Sequence, residues 1–198
     1  MKKPSLLAAR LLFLLATSIT ALTATAQSVH PVAMAGQPLV YIKDGNIHSC
    51  GIRVMGVEVS NLAVISTIDM SFNLEKSGQG LVKFASGDGD IIKGKPAKRN
   101  KLSGAWIKAP GDKATTPKSK VIPGEDGFSI LYLTDVRSVI GLFEAQEAGK
   151  PLNIGIKKLG ESHEKIYAGV AKMDDKEQQQ VRQCIRELLS GLSDGEKK

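Results

Sequence analysis

The residues in this chain best suited to catalysis, metal binding or redox chemistry are two cysteines and three histidines. The cysteines are Cys50 and Cys184, and they form no Cys-x-x-Cys pair, which argues against a thiol oxidoreductase. His48 lies two residues before Cys50, so on a strand both side chains would share one face and offer ligands to zinc or copper. If the chain enters an oxidising compartment, its even cysteine count instead favours a Cys50–Cys184 disulfide, which would remove that metal pair.

Sequence motifs of nucleophilic and phosphate chemistry are missing. There is no Gly-x-Ser-x-Gly, no His-Glu-x-x-His and no phosphate-binding glycine loop. One Ser-x-x-Lys match, Ser162-His163-Glu164-Lys165, lies at a predicted hairpin tip without the companion motifs of penicillin-binding enzymes. We therefore predict no catalytic residue, no metal and no cofactor.

A basic segment from Lys93 to Lys120 is the most distinctive feature of the composition. It holds nine basic residues and one acid, Asp112, in a chain whose formal net charge is +7. Clustered cations attract polyanions or acidic protein faces, and Trp106 adds a surface for stacking. The alternative is a solvated loop whose lysines protect an edge strand from aggregation. The predicted contact residues for an anion or a partner are Lys93, Lys95, Lys98, Arg99, Lys101, Trp106 and Lys108.

The first 26 residues have the pattern of a cleavable secretory signal. Three basic residues precede the uncharged apolar run 11–22, and Ala24-Thr25-Ala26 supplies the small residues that a signal peptidase reads. Twelve helical residues span about 18 Å, which is too short for a roughly 30 Å hydrocarbon core. We therefore expect a mature N-terminus at Gln27 and a periplasmic location, with an extracellular one as the alternative.

Hydrophobic periodicity predicts strands through most of the chain. Ile68 to Glu75 alternate between apolar and polar side chains, and Asp44-Gly45 between two β-prone runs predicts a hairpin turn. Leu152, Ile154 and Ile156 alternate in the same way, with an antiparallel partner expected near residues 166–170.

Two amphipathic helices are predicted in the second half of the chain. Thr134 or Asp135 can cap the first, which ends before Gly149. Asp174 and Glu177 have the spacing of a capping box at the start of the last helix, whose apolar stripe includes Cys184. The predicted fold class is α+β: a mainly antiparallel sheet or sandwich with two packed helices, the last at the C-terminus.

Composition also indicates where the domain begins and ends. Residues 27–37 are small and polar, which predicts a flexible lead, and residues 193–198 form a polar tail. Between them, residues 38–192 are predicted to form a single α+β domain, with 93–120 as a basic loop or hairpin insertion. A chain of this length buries a core without needing a metal or several disulfides.

The C-terminal part resembles small exported Gram-negative proteins of the invasion-associated locus B type. The similarity lies in 149–156, with the sequence Gly-Lys-Pro-Leu-Asn-Ile-Gly-Ile, followed by a second strand and a closing helix. It covers about the last fifty residues. That family usually has more cysteines and a Gly-Cys element in mid-domain, whereas this chain has only Cys50 and Cys184. The resemblance implies a β-rich envelope scaffold without a known active site, and it assigns no functional residue.

Together these patterns predict a non-catalytic interaction or accessory protein of the cell envelope, with a secretion or conjugation apparatus as one setting. Lys93–Lys120 would project from a rigid base to contact an envelope protein or an anionic envelope polymer. One alternative is a polyanion-binding module that uses this segment, with nucleic acid as the less favoured ligand. The other is an enzyme with an unrecognised site near His48 or His163. After signal cleavage, no segment is long and apolar enough to span a membrane as a helix.

Overall fold

A computed structural model describes residues 28–60, 63–115 and 122–195. The predicted signal, 1–26, and its cleavage point at Gln27 lie outside these residues. In chain order the strands and helices are β1 (Val29–Pro31), β2 (Ala33–Lys43), β3 (Asn46–Ser60), β4 (Val64–Glu75), β5 (Gln79–Asp90), β6 (Lys95–Arg99), β7 (Leu102–Lys108), β8 (Ile122–Pro123), β9 (Ile130–Asp135), α1 (Val136–Glu147), β10 (Leu152–Lys158), β11 (Lys165–Gly169), β12 (Ala171–Lys172) and α2 (Asp175–Gly195).

The strands of the described residues form two sheets. The large sheet has the order β12-β2-β3-β4-β5-β9-β8, with β6 also paired to β5, and the small sheet has the order β1-β11-β10-β7. All pairs are antiparallel except β1 with β11 and β12 with β2. The predicted α+β class with a mainly antiparallel sheet is therefore confirmed.

Local sequence signals place the central strands and their turns. In β4, Ile68, Met70 and Phe72 are buried, as their alternation predicts. The predicted turn between β2 and β3 is confirmed, because Asp44 and Gly45 both have positive φ, 51° and 73°. The strand pair β10–β11 is also antiparallel as expected.

Both helices begin at the predicted caps and pack on one face of the large sheet. The Asp135 side chain accepts a hydrogen bond from the Ser138 backbone N–H, 2.8 Å. Asp174 and Glu177 bond reciprocally, 2.8 Å in each direction, which is a capping box. Helix α1 contacts β4 and β5, and α2 contacts β2 and β3. The core fills the space between these helices, the large sheet and the small sheet.

The ordered domain is longer at both ends than composition predicts. The flexible lead predicted for 27–37 is wrong for its described part, which forms β1 and the start of β2. Met34 is buried, and a Cβ added to Gly36 would lie 2.6 Å from Cγ of Met173. Such close approach requires small residues, so this strand lacks the bulky alternation that marks strands in a sequence. Helix α2 continues to Gly195, past the predicted start of the tail at Ser193.

The described part of the basic segment is built into both sheets, unlike the predicted loop or hairpin insertion. β6 pairs with β5 in the large sheet, whereas β7 pairs with β10 in the small sheet. Ile107 of β7 is fully buried, and so is its cross-strand partner Ile154. The chain therefore passes from one sheet to the other between β6 and β7.

Candidate interaction surface

The cysteine pair is a structural link rather than a chemical site. Cys50 of β3 and Cys184 of α2 form the predicted disulfide, with their Cα atoms 5.8 Å apart. This bond takes Cys50 out of the metal pair considered with His48. Within 28–60, 63–115 and 122–195 no group of three or more His, Cys, Asp or Glu side chains is placed to hold a metal ion.

The two histidines considered for an enzyme site lie apart from the larger grooves of the described surface. The His48 ring packs edge-on to Tyr41, with ring centroids 6.0 Å apart, and His163 is exposed in a turn. The carboxyl group of Glu75 lies near His48. Burial raises the pKa of Glu75, and electrostatic attraction to His48 offsets only part of that rise. The grooves beside α1, between the two helices and over the outer face of the large sheet are lined by other residues.

A cluster around Glu58 brings together residues that sequence reasoning missed. His30 Nδ1 lies 2.8 Å from Glu58 Oε1, and Lys165 Nζ lies 2.5 Å from Glu58 Oε2. Ser28 Oγ lies 3.2 Å from His30 Nε2, which gives the order serine, histidine, acid. Because Glu58 also neutralises Lys165, and Ser28 is exposed at the start of an edge strand, we interpret the cluster as a fastening of β1 and β11 to β3.

A second ionic cluster, around Asp88, joins the two sheets. Lys158 Nζ of β10 lies 2.5 Å from Asp88 Oδ2 of β5, and Ser66 Oγ of β4 donates to Asp88 Oδ1 at 2.9 Å. Burial opposes ionisation of Asp88, but the hydrogen bonds from Lys158 and Ser66 outweigh it, so its pKa is lowered. Tyr167 is buried nearby, and burial with the charges of Glu58 and Asp88 raises the pKa of its phenol. The phenol therefore stays neutral.

We expect the Asp88 cluster to make the free energy of unfolding depend on pH in the acidic range. The pKa of Asp88 in the folded protein lies below its ordinary value of 3.8, so its contribution is present above that pH and is lost as pH falls further. Urea unfolding at pH 7, 5 and 3 should show the wild type more stable than Asp88→Asn at the first two pH values, with the difference shrinking at pH 3. Asp112→Asn, at an exposed turn, controls for loss of a negative charge. An equal gap between Asp88→Asn and the wild type at all three pH values would contradict this assignment.

Trp106 is half-buried on β7, on the opposite face from the buried Ile107, and its ring is fixed by contacts within the small sheet. Its Nε1–H donates to Glu164 Oε2 at 2.7 Å. Its ring lies over Gly155 so closely that a Cβ there would be 2.2 Å from Cε2 of Trp106. Lys108 Nζ lies 5.7 Å from the ring centroid, a cation–π contact. Trp106 and Lys108 therefore act within the fold.

The remaining predicted contact residues lie on or beside β6. Arg99 is paired with Asp126 at 2.5 Å, and Lys93 lies 3.3 Å from Asp90 with 67% of its side chain exposed. The backbone of Lys95 pairs with Asp90. Lys98 and Lys101 are exposed and have no ion-pair partner within the described parts of the chain. Lys93 lies farther from its partner than Arg99 does, and its side chain is more exposed, 67% against 51%. We therefore group Lys93 with Lys98, both close to the β5–β6 turn, as the basic flank.

One end of the large sheet carries exposed apolar side chains next to this basic flank. We call this end the apolar tip: Val59 and Val64 beside the β3–β4 turn, and Ile91 and Ile92 in the β5–β6 turn. Ile92 is 76% exposed and Val59 is 56% exposed. The Ile91 N–H donates to the Ala63 carbonyl at 2.7 Å, which holds the two turns side by side. The apolar tip and the basic flank therefore meet at the β5–β6 turn, which holds Ile91, Ile92 and Lys93.

Two grooves of the described surface involve few of the predicted contact residues. The first contains none of them, and the second contains only Arg99. A groove of about 360 Å³ between α1 and α2 has an apolar floor that includes Phe143, Ile185 and Leu189. A second groove, of about 350 Å³, runs over the outer face of β3, β4 and β5 from Asp69 to Val57 and includes Arg99. Asp69 is held there by a bidentate pair with Arg53, at 2.8 and 2.7 Å.

Comparison with known proteins identifies no similar protein. The chain matches no model of a known protein family, no curated protein and no solved structure. None of the helices within the described residues is long and apolar enough to cross a membrane.

Proposed function

We propose that this chain is a non-catalytic, exported interaction protein of the cell envelope that binds a negatively charged partner with its basic flank. The observation that carries the proposal is the local charge balance at the apolar tip. Glu58 and Asp88 are paired with Lys165 and Lys158 from the small sheet, and Asp90 is paired with Lys93 of the flank itself. Lys98 therefore remains as a flank cation without an ion-pair partner among the described residues. An unbalanced cation on an exposed edge attracts anions.

Export is part of this proposal. The N-terminal pattern of basic residues, apolar run and small residues favours a secretory signal, and the disulfide fits an oxidising compartment such as the periplasm. The resemblance to the invasion-associated locus B type would place the protein among envelope scaffolds. A component of a secretion or conjugation apparatus is compatible with the same surface.

Only the first part of the basic segment is proposed to contact the anionic partner. Arg99, Trp106 and Lys108 are engaged within the fold, so the segment contributes to binding through its first part. A polyanionic envelope polymer suits this small cationic edge better than nucleic acid does, because Trp106, which could stack on bases, lies on β7 in the other sheet.

Binding of polyphosphate by the exported form of the protein tests the proposal. Lys93→Glu with Lys98→Glu is expected to weaken binding about tenfold or more, since each lysine near an anionic surface is worth about 1 kcal/mol and reversal adds repulsion. Titration at about 50 and 200 mM salt should show wild-type affinity falling steeply.

The matched control reverses two exposed lysines at the opposite end of the sheet, Lys43 and Lys76. That pair should bind polyphosphate like the wild type. Affinity that does not change with salt, or an equal loss in both double variants, would reject a contact at the basic flank.

A further inference from the structure

The apolar tip presents hydrophobic side chains that stay exposed among the described residues. Ile91 and Ile92 follow each other in the β5–β6 turn and are 54% and 76% exposed. Across the adjoining turn, Val59 and Val64 are 56% and 40% exposed. Single exposed apolar residues are ordinary, but two consecutive exposed isoleucines in one turn, with an exposed valine at each neighbouring strand end, make an apolar surface of the kind that marks a contact site.

The turn that carries the two isoleucines is held in one shape before any contact. Asp90 Oδ1 accepts a hydrogen bond from the Lys93 N–H at 3.1 Å, and Gly94 takes a positive φ of 59° to close the turn. β5 is paired with β4 from Gly80 to Asp90, so the ladder continues up to the residue at which the turn begins. Apolar groups held on a preformed turn pay little ordering cost when they are buried.

Lysines and exposed apolar side chains occur together at this end of the large sheet. Lys93 lies in the same turn as the isoleucines, and Lys98 lies on the adjoining strand, opposite Asp88. A soluble polyanion would use the lysines and leave the isoleucines in water. An anionic bilayer offers phosphate headgroups to the lysines and an apolar layer beneath them to the isoleucines.

We propose that the apolar tip inserts into the surface of an anionic lipid bilayer, with Ile91 and Ile92 entering the headgroup and acyl boundary and the basic flank remaining among the headgroups. This inference rests on the proposed function and names its partner as a membrane. Attachment is peripheral and reversible, because two side chains and a few lysines bind far more weakly than a spanning helix.

Vesicle binding by the exported form of the protein tests the inference. The vesicles contain phosphatidylglycerol and phosphatidylethanolamine, and pure phosphatidylcholine vesicles give the uncharged comparison. Ile91→Ser with Ile92→Ser should lower partitioning onto the anionic vesicles by about tenfold or more, since most of the apolar burial is lost. The same variant should bind polyphosphate like the wild type.

The control removes two equally exposed apolar side chains at the opposite end of the sheet, Tyr41→Ser with Ile42→Ser, which are 57% and 59% exposed in the native chain. It should partition like the wild type. A tryptophan reports insertion directly. The emission of Ile92→Trp should shift to the blue when anionic vesicles are added, by more than the emission of the wild type does, and that of Ile42→Trp should not.

The outcomes separate the two proposals. If the isoleucine variant binds anionic vesicles as tightly as the wild type, or Ile92→Trp emission does not shift, insertion is wrong while polyphosphate binding by the basic flank still stands. If the Lys93 and Lys98 reversal leaves polyphosphate binding unchanged, the proposed function itself fails.

Discussion

Replacing Cys50 and Cys184 together by serine is expected to lower the free energy of unfolding by about 5 kcal/mol. The two cysteines are 134 residues apart, so the disulfide closes a very long loop and removes much conformational freedom from the unfolded chain. Cys184 lies on the buried stripe of α2 between Val181 and Leu188, so the bond also holds this helix on β3. Urea unfolding of both proteins at neutral pH measures the difference.

A reductant provides the internal control for this prediction. Reduced wild type should unfold near the urea concentration of the double serine variant, and the variant should not respond to the reductant. If oxidised wild type and the variant unfold at the same urea concentration, the disulfide does not stabilise the fold as argued.

Deleting Lys93–Lys120 is expected to abolish cooperative unfolding altogether. The deletion removes β7, whose Ile107 is fully buried against Ile154 of β10, together with the buried Ala109. It also removes the Thr115 carbonyl that accepts a hydrogen bond from the buried Tyr132 hydroxyl at 2.9 Å. Such losses open a core cavity and leave a buried donor unsatisfied. Circular dichroism during heating distinguishes a sharp transition from none.

A charge-only variant separates structure from surface in that experiment. Lys93→Gln with Lys98→Gln and Lys101→Gln keeps every strand and changes only exposed side chains, so it should unfold within about 0.5 kcal/mol of the wild type. A deleted chain that still unfolds with the native midpoint would mean that the segment is an independent projection.

Local patterns in the sequence were sufficient for the central strands and for the starts of both helices. The alternation from Ile68 to Glu75 predicts β4, because a strand places successive side chains on opposite faces. Asp44-Gly45 predicts the first turn and Asp135 predicts a helix cap, because both depend only on the conformation of a few neighbouring residues. The cysteine pairing followed from arithmetic, since two cysteines allow one intramolecular disulfide.

Prediction from local patterns failed where small residues hide a strand. Ala33, Ala35 and Gly36 look like loop residues, yet β2 pairs with β3 from Ala33 onward. At Gly36 a larger side chain is excluded by Met173, which is 137 positions later in the chain, whereas Ala33 and Ala35 are exposed. A requirement set by so distant a residue leaves no local signal.

The sequence by itself determined the fold class, the disulfide, the helix caps and an excess of cations in one segment. Only the tertiary structure decided how that segment is used: β6 joins one sheet and β7 the other, Trp106 and Arg99 are engaged within the fold, and Lys93 and Lys98 stay exposed beside Ile91 and Ile92. The physical reason is that composition records which charges are present, whereas their availability depends on contacts between residues far apart in the chain.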